Sequence, residues 1–220
     1  MTVDGMAKEP LWVWPDAQQR WRLLGAIVWL SFLFAIVYGG ADYVTSLRQT
    51  RFPVHLAFEL SLPFLPELSI VYSSVYLMFV VMTLILHSAD QLWWFVRVMS
   101  WMTVAAGVCF LIYPAELAFD PPEVTSWAAG PFDWADQVNL TYNCAPSLHV
   151  AYSVLCAETM RRKRRLGGLV MHIWALAIAL AAWTTYQHHL VDLLTGYLLG
   201  AGFGWIQGLP ESKQLMMPEN

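Results

Sequence analysis

The sequence predicts an all-α integral membrane protein, a single bundle of six transmembrane helices with both termini in the cytoplasm. The chain of 220 residues is 58% hydrophobic and 13% charged, which is too apolar for a soluble domain of this size. Six apolar segments approach the roughly 20 residues that a helix needs to cross a bilayer. In chain order these predicted spans are Leu23–Ala41, Leu68–Leu86, Leu92–Tyr113, Ala145–Met160, Leu169–Tyr186 and Leu190–Gly208.

The distribution of basic residues predicts the orientation. Six spans place ten of the twelve Lys and Arg residues on one side, and only Arg48 and Arg51 on the other. Cytoplasmic loops carry an excess of Lys and Arg, so the crowded side is predicted to be cytoplasmic. Residues 1–22 then form a cytoplasmic interfacial segment, residues 23–208 form the membrane domain, and residues 209–220 form a cytoplasmic tail. The same agreement supports the fourth span, which is short.

The outer loop of residues 114–144 is long, contains no Lys or Arg, and interleaves acidic with aromatic residues. A long loop at a membrane surface is often a lid or a binding loop. The sequence contains no Walker loop, dinucleotide fingerprint or Cys-x-x-Cys pair. Nothing in it indicates nucleic-acid binding.

His188 and Asp192, at the start of the sixth span, form the first candidate pair. If this stretch is helical, the two side chains lie one turn apart on the same face. The carboxylate would then accept a ring N–H of the imidazole, orient the ring and raise the basicity of the other nitrogen. A charge in a transmembrane segment is expensive and is usually functional. The plainer alternative is an interfacial histidine beside a structural carboxylate.

A second candidate element is Pro146-Ser147-Leu148-His149 at the start of the fourth span. Proline suits the first helical turn, and Ser147 with the free N–H groups of that turn would bind an anion such as phosphate. His149 lies in the same turn and would become protonated beside a bound phosphate. Arg48 and Arg51 are spaced to lie close together on a helical turn. They are predicted to bind the same phosphate, with a simple headgroup-boundary role as the alternative.

Residues 143–150 (NCAPSLHV) and 188–196 (HHLVDLLTG) resemble the second and third motifs of the type 2 phosphatidic acid phosphatase superfamily. Leucine in place of glycine before His149 is similar to its inositolphosphorylceramide-synthase-like branch of phosphotransferases. Residues 63–66 (PFLP) and Tyr72 also resemble that branch. The resemblance covers about residues 63–200.

This resemblance implies a covalent mechanism without a metal or organic cofactor. His188 matches the nucleophile that attacks phosphorus and forms a phosphohistidine, and Asp192 would orient it. His149 would protonate the leaving oxygen and then activate water or an acceptor alcohol. The implied substrate is a lipid phosphate at the non-cytoplasmic face, and ceramide or diacylglycerol would serve as the acceptor in a transfer.

The chain departs from the lipid phosphatases of the superfamily in its cations. Those enzymes carry a basic first motif and a Ser-Arg pair shortly before the nucleophile, where this chain has Ala181 and Ala182. The departure favours the transferase-like branch over a phosphatase.

Two other classes of function remain open. A metal-dependent membrane enzyme would use His149, His188, His189 and Asp192 as ligands. Adjacent His188 and His189 would diverge by about 100° on a helix, however, which disfavours one shared ion. The other class is a non-catalytic lipid-binding or transport protein.

Glycines recur every four residues in the sixth span, at Gly196, Gly200, Gly204 and Gly208. Small residues at this spacing let membrane helices approach closely. We expect this row to dock the sixth span against the bundle and to turn Asp192 inward.

Overall fold

The protein is described by a computed structural model that covers residues 10–140, 142–206, 208 and 210. The first nine residues, and all of the predicted tail of residues 209–220 except Pro210, lie outside the described part. The α-helices are α1 Ala17–Phe34, α2 Gly40–Ser46, α3 Ser69–Ser73, α4 Val75–Ile85, α5 Ala89–Ile112, α6 Ala129–Asn139, α7 Leu148–Lys163, α8 Arg165–Thr184 and α9 Leu190–Ile206.

Shorter elements complete the secondary structure. A π-helical turn, Ala35–Gly39, joins α1 to α2, and the 3₁₀ turns are Ala57–Ser61 and Pro66–Leu68. Strands β1, Phe52–Pro53, and β2, Ala115–Glu116, form a two-residue parallel bridge. The prediction of an all-helical protein is confirmed apart from this short bridge.

Four helical stretches in the described part are long and apolar enough to cross a membrane. They are Ala17–Ser46, Pro66–Ile85, Ala89–Ile112 and Arg165–Thr184. They overlap the first, second, third and fifth predicted spans, and they support a membrane protein. Helix α9 is apolar but shorter, and α7 ends in three basic residues.

Side-chain caps begin α1 and α5. Asp16 accepts the N–H of Gln19 at 2.7 Å and starts α1 before the predicted first span, and Ser88 accepts the N–H of Gln91 at the start of α5. Such caps satisfy N–H groups that have no partner inside the helix. Helix α4 ends at Ile85, on the side that the sequence predicts to be cytoplasmic. There Lys163 Nζ donates to the carbonyl of Ile85 at 2.8 Å. Lys163, one of the three basic residues that end α7, therefore has a structural role.

The glycine row packs α9 against α7, as the spacing predicted. A methyl group on Gly196 would overlap the carbonyl oxygen of Ser147, and one on Gly200 would overlap that of Ala151. Gly204 also faces α7. The two backbones are therefore so close that only glycine fits at the first two positions, and Asp192 is brought to the first turn of α7.

The π-helical turn presents Tyr38 to the end of the bundle where α7 begins. Its carbonyl accepts a hydrogen bond from Asn143 Nδ2 at 2.6 Å, and its hydroxyl donates to the carbonyl of Asn139. Single π turns inside helices often occur at functional sites. This one ties the first helix to the segment that leads into α7.

The outer loop contains a helix, α6, which the sequence did not predict. Phe132 of α6 is buried and meets Phe64 edge to face, with 5.3 Å between ring centroids. Earlier in the loop, Phe119 stacks on Tyr186 in the turn between α8 and α9, with 4.4 Å between ring centroids. The loop therefore covers the end of the bundle where α7 and α9 begin.

Candidate active site where α7 and α9 begin

His188 and Asp192 come together, although not on one helix as predicted. Helix α9 begins at Leu190, so His188 lies in the turn that follows α8. The physical reason is that Asp192 Oδ2 accepts the backbone N–H of His189 at 2.8 Å, a capping interaction that begins the helix after His189. The same Oδ2 still lies 3.5 Å from His188 Nδ1.

The His188 imidazole is buried but has unused hydrogen-bonding capacity. Its side chain is 2% exposed, and neither ring nitrogen has a hydrogen-bond partner in the described part of the chain. Asp192 Oδ1 is likewise buried without a partner there. Buried polar atoms are nearly always satisfied, so such a group requires an explanation, and a binding site for a polar ligand is one. Since Nδ1 faces Asp192, Nε2 is the nitrogen available to a ligand.

His149 lies in the first turn of α7, as predicted, but Pro146 does not. The helix begins at Leu148 with Ser147 as its N-cap, and Pro146 precedes the cap after a cis peptide bond with Ala145. The cap forms because Ser147 Oγ accepts the N–H of Val150. His149 is therefore the second residue of the helix.

A hydrogen-bond chain fixes the tautomer of His149. The Asn139 side-chain amide donates from Nδ2 to the Gln187 carbonyl at 3.2 Å, so its Oδ1 accepts the Tyr72 hydroxyl at 3.0 Å. The Tyr72 oxygen lies 2.9 Å from His149 Nδ1. Because the hydroxyl proton is already donated to Asn139, Nδ1 must carry the hydrogen that bonds to Tyr72. This leaves His149 Nε2 free to accept or release a proton.

Tyr72 also brings the two histidines together. Its ring stacks on His149 with 4.3 Å between centroids and meets His188 edge-on at 6.5 Å. The two imidazoles come from segments far apart in the sequence and flank one tyrosine. The arrangement can therefore present two ring nitrogens to one bound group.

Both histidines line a cavity of about 500 Å³ that runs down through the bundle. Below the polar end its walls are apolar, with side chains from α1, α4 and α5 such as Phe34, Met82 and Met99. Its lining on α5 extends from Leu92 to Thr103, about 16 Å along a helix that rises 1.5 Å per residue. The cavity therefore joins a polar, histidine-lined end to a long apolar space, which suits an amphipathic ligand.

The predicted phosphate-binding residues occupy different positions around this site. Ser147 is fully buried, caps α7 and donates its backbone N–H to the carbonyl of Asp192 at 3.0 Å. Arg51 places its guanidinium over the ring of Tyr142, at 4.1 Å, and Arg48 is exposed. The prediction that the two arginines share a helical turn is wrong, because α2 ends at Ser46. The chain bends there and leads into β1.

Arg51 nevertheless remains close to the segment that precedes α7. Its Nη2 donates to the Thr45 carbonyl at 3.5 Å, and its Nε is buried without a hydrogen-bond partner in the described part. Tyr142, on which it lies, also donates its backbone N–H to Asp42. Phosphate binding by Ser147, Arg48 and Arg51 stays a prediction.

His189 points away from His188 and belongs to a separate buried cluster with Glu59. His189 Nδ1 lies 3.4 Å from Glu59 Oε2, while Nε2 accepts the N–H of Ala118 at 3.0 Å. Burial lowers the pKa of His189, although Asp192 and Glu59 raise it in part. Burial would raise the pKa of Glu59, but hydrogen bonds led by those from Leu56 and Leu190 lower it overall.

The divergence of His188 and His189 bears on the metal-dependent alternative. Among the described residues, no group of three or more His, Cys, Asp or Glu side chains could hold one metal ion. The four ligands proposed from the sequence are therefore not arranged around one point.

Sequence reasoning missed several residues that complete the site. The π-helical turn, α6 and the segment before α7 are joined by hydrogen bonds among Tyr38, Asn139 and Asn143. Glu59, in a 3₁₀ turn, accepts the backbone N–H of Leu190 at the start of α9. Their sequence signal is weak, because Asn139 and Glu59 are polar residues in predicted loops, where such residues are common. Tyr38 lies inside a predicted apolar span, and Asn143 was noted only as part of a resembling motif. Tyr72 was noted only for its resemblance, whereas the structure makes it the link between the histidines.

Comparisons of the chain with protein-family models, with curated proteins and with solved structures gave no match.

Proposed function

We propose that the protein is a membrane-embedded lipid phosphatase or phosphotransferase that works through a phosphohistidine on His188. The substrate is a phospholipid or sphingolipid headgroup phosphate, and no metal or organic cofactor takes part. The proposal includes six spans, with both termini cytoplasmic and the site at the non-cytoplasmic face. It develops the motif resemblance to the type 2 phosphatidic acid phosphatase superfamily.

One observation carries this proposal. The buried His188 imidazole, which has no hydrogen-bond partner in the described part of the chain, lies beside Asp192 and shares a cavity with His149, whose tautomer is fixed. A nucleophile oriented by a carboxylate and a second group able to move a proton are the two parts that covalent phosphoryl transfer requires. The apolar length of the cavity adds room for a hydrocarbon chain of a lipid.

The proposed reaction has two steps. In the first, His188 Nε2 attacks phosphorus, the bond from phosphorus to the leaving oxygen breaks, and protonated His149 gives its Nε2 proton to that oxygen. In the second, His149 Nε2 takes a proton from water or from an alcohol, whose oxygen attacks phosphorus as the P–N bond breaks. Asp192 stabilises the His188 ring, which is cationic while the phosphoryl group is attached.

The six-span arrangement draws support from the two ends of α7. His149 and Lys163 lie about 21 Å apart along this helix at 1.5 Å per residue, and the basic residues cluster at the Lys163 end. Positive charge favours the cytoplasmic side, and this supports a position of His149 on the other side.

Transfer is favoured over hydrolysis within this proposal. Ala181 and Ala182 are buried packing residues, and the Ala182 carbonyl accepts the backbone N–H of His188 at 3.2 Å. These two positions therefore carry no cation, whereas the lipid phosphatases have a Ser-Arg pair there. A covering outer loop with α6 would help to exclude water from the phosphohistidine.

The test is incubation of the purified protein with labelled phosphatidic acid and phosphatidylinositol, each with and without ceramide or diacylglycerol. Released phosphate or phosphoinositol indicates a hydrolase, and a new phospholipid or phosphosphingolipid indicates a transferase. If no product forms and lipid still binds in the cavity, the alternative of a non-catalytic lipid-binding or transport protein is favoured. The large apolar cavity is the observation that supports this alternative.

A further inference from the structure

We propose that Glu59 and His189 are a positioning pair that sets the Asp192 carboxylate, and through it His188, for phosphoryl transfer. The inference rests on the proposed function and adds two residues to it. Both side chains are fully buried, and neither lines the cavity in the described part of the chain. They therefore act on His188 through other groups and do not touch the substrate.

Glu59 gathers N–H groups from three segments. Its Oε1 accepts the backbone N–H of Leu56 at 2.7 Å. Its Oε2 accepts Trp183 Nε1–H from α8 and the backbone N–H of Leu190 from α9, both at 2.9 Å, and lies 3.4 Å from His189 Nδ1. A buried carboxylate surrounded by N–H donors is held ionised and rigid. The start of α9 is thus fixed against the end of α8.

His189 is fixed at both ring nitrogens. Because Nε2 accepts the N–H of Ala118, Nδ1 carries the hydrogen and faces Glu59 Oε2. Phe119, the next residue of the outer loop, stacks on the ring with 4.2 Å between centroids. The ring is therefore neutral, with a single orientation, and it joins the outer loop to the start of α9.

The connection to the nucleophile passes through the backbone of His189. This N–H donates to Asp192 Oδ2 at 2.8 Å, and the same oxygen lies 3.5 Å from His188 Nδ1. A displacement of the His189 backbone would therefore move the carboxylate oxygen that faces His188 Nδ1 and that is proposed to orient this ring. Misplacement of a reacting group by about 1 Å can cost on the order of 100-fold in rate.

A purely structural pair would lower stability and leave turnover by the folded protein unchanged. A positioning pair must instead lower kcat and the rate of phosphohistidine formation, with little change in KM, because substrate binding does not involve it. The two roles are therefore separated by kinetics on protein that has been shown to be folded.

The primary experiment compares Glu59→Gln with the matched control Glu67→Gln, an exposed carboxylate on the same side of the bundle. The assay uses the same labelled phosphatidic acid and phosphatidylinositol, with and without acceptor. We expect Glu59→Gln to lower kcat by up to about 100-fold, the cost of misplacing a reacting group by about 1 Å. The control should keep the wild-type kcat.

A second pair of variants decides the question if Glu59→Gln does not fold. His189→Asn retains an amide donor near the Nδ1 position, whereas His189→Gln places its amide near Nε2. We expect His189→Asn to retain the higher kcat, because it preserves the bond to Glu59.

The outcomes separate the two proposals. A folded Glu59→Gln protein with wild-type kcat overturns the positioning role while leaving the phosphohistidine chemistry intact. Equal kcat values for His189→Asn and His189→Gln, at the wild-type level, do the same. A wild-type protein that turns over none of the lipids overturns the proposed function itself.

Discussion

The backbone N–H of Ser147 donates a hydrogen bond to the carbonyl oxygen of Asp192, with 3.0 Å between nitrogen and oxygen. This bond joins the cap of α7 to the first turn of α9, and so joins the two segments that carry His149 and Asp192. The close approach is possible because the next turn of α9 presents Gly196 to the carbonyl of Ser147. The site is therefore assembled by backbone contact between two helices.

Gly196→Ala tests this contact. Its methyl group would overlap the Ser147 carbonyl oxygen, so we expect a loss of about 1–3 kcal/mol in stability, the usual cost of overpacking. Thermal unfolding in detergent measures the effect. Gly202→Ala is the control, because a methyl group there would meet no atom of the described residues within 4 Å. Equal unfolding temperatures for the two variants would show that α7 and α9 can separate without cost.

His188→Ala and His149→Ala are expected to lower lipid turnover by about three orders of magnitude or more, because each removes a group that takes part in bond making. Mass spectrometry of protein quenched during turnover should find phosphate on His188 in the wild type. His87→Gln, a histidine at the opposite end of the bundle, is the control. Full turnover by a folded His188→Ala protein would refute the phosphohistidine mechanism.

Vanadate, which imitates five-coordinate phosphorus, should inhibit the wild type.

Tyr72→Phe removes the hydroxyl that fixes His149. The change leaves Asn139 Oδ1 and His149 Nδ1 without this partner, at a cost of about 1–3 kcal/mol for each unsatisfied group. We expect kcat to fall about tenfold, the equivalent of 1.4 kcal/mol, because the His149 ring is no longer held in the tautomer that leaves Nε2 unprotonated. The control is Tyr76→Phe, whose ring also meets His149, edge-on at 6.4 Å. A similar kcat for the two variants would argue against a role for the tyrosine hydroxyl.

Stability should fall as the pH is lowered below about 6.5, the ordinary pKa of histidine in an unfolded chain. Burial lowers the pKa of His189 in the folded protein, so the unfolded state takes up a proton at higher pH and is favoured on acidification. The groups around this ring are Glu59, Asp192 and His55. Glu59 has a lowered pKa and stays ionised through this range.

The measurement is the midpoint of thermal unfolding between pH 7.5 and 5, compared for the wild type and His189→Gln. The variant lacks the titrating ring, so its midpoint should depend less on pH. Parallel curves for the two proteins would assign the pH dependence to other histidines.

The sequence by itself determined most of the apolar helices and the segments that contain the candidate site residues. Length, hydropathy and spacing are local properties, and they predicted the apolar helices and the glycine row of α9 that meets α7. They also singled out His149, His188 and Asp192, because a charge in an apolar run and a histidine at a helix start stand out in any sequence.

Only the tertiary structure decided how those residues meet. His188 lies outside α9 because Asp192 caps that helix, and Arg48 and Arg51 follow α2 because the chain turns after Ser46. Glu59 lies in a short 3₁₀ turn and contacts His189, which is far from it in the sequence. No local periodicity encodes such contacts, since loop and cap geometry depends on which distant groups satisfy each buried N–H and C=O.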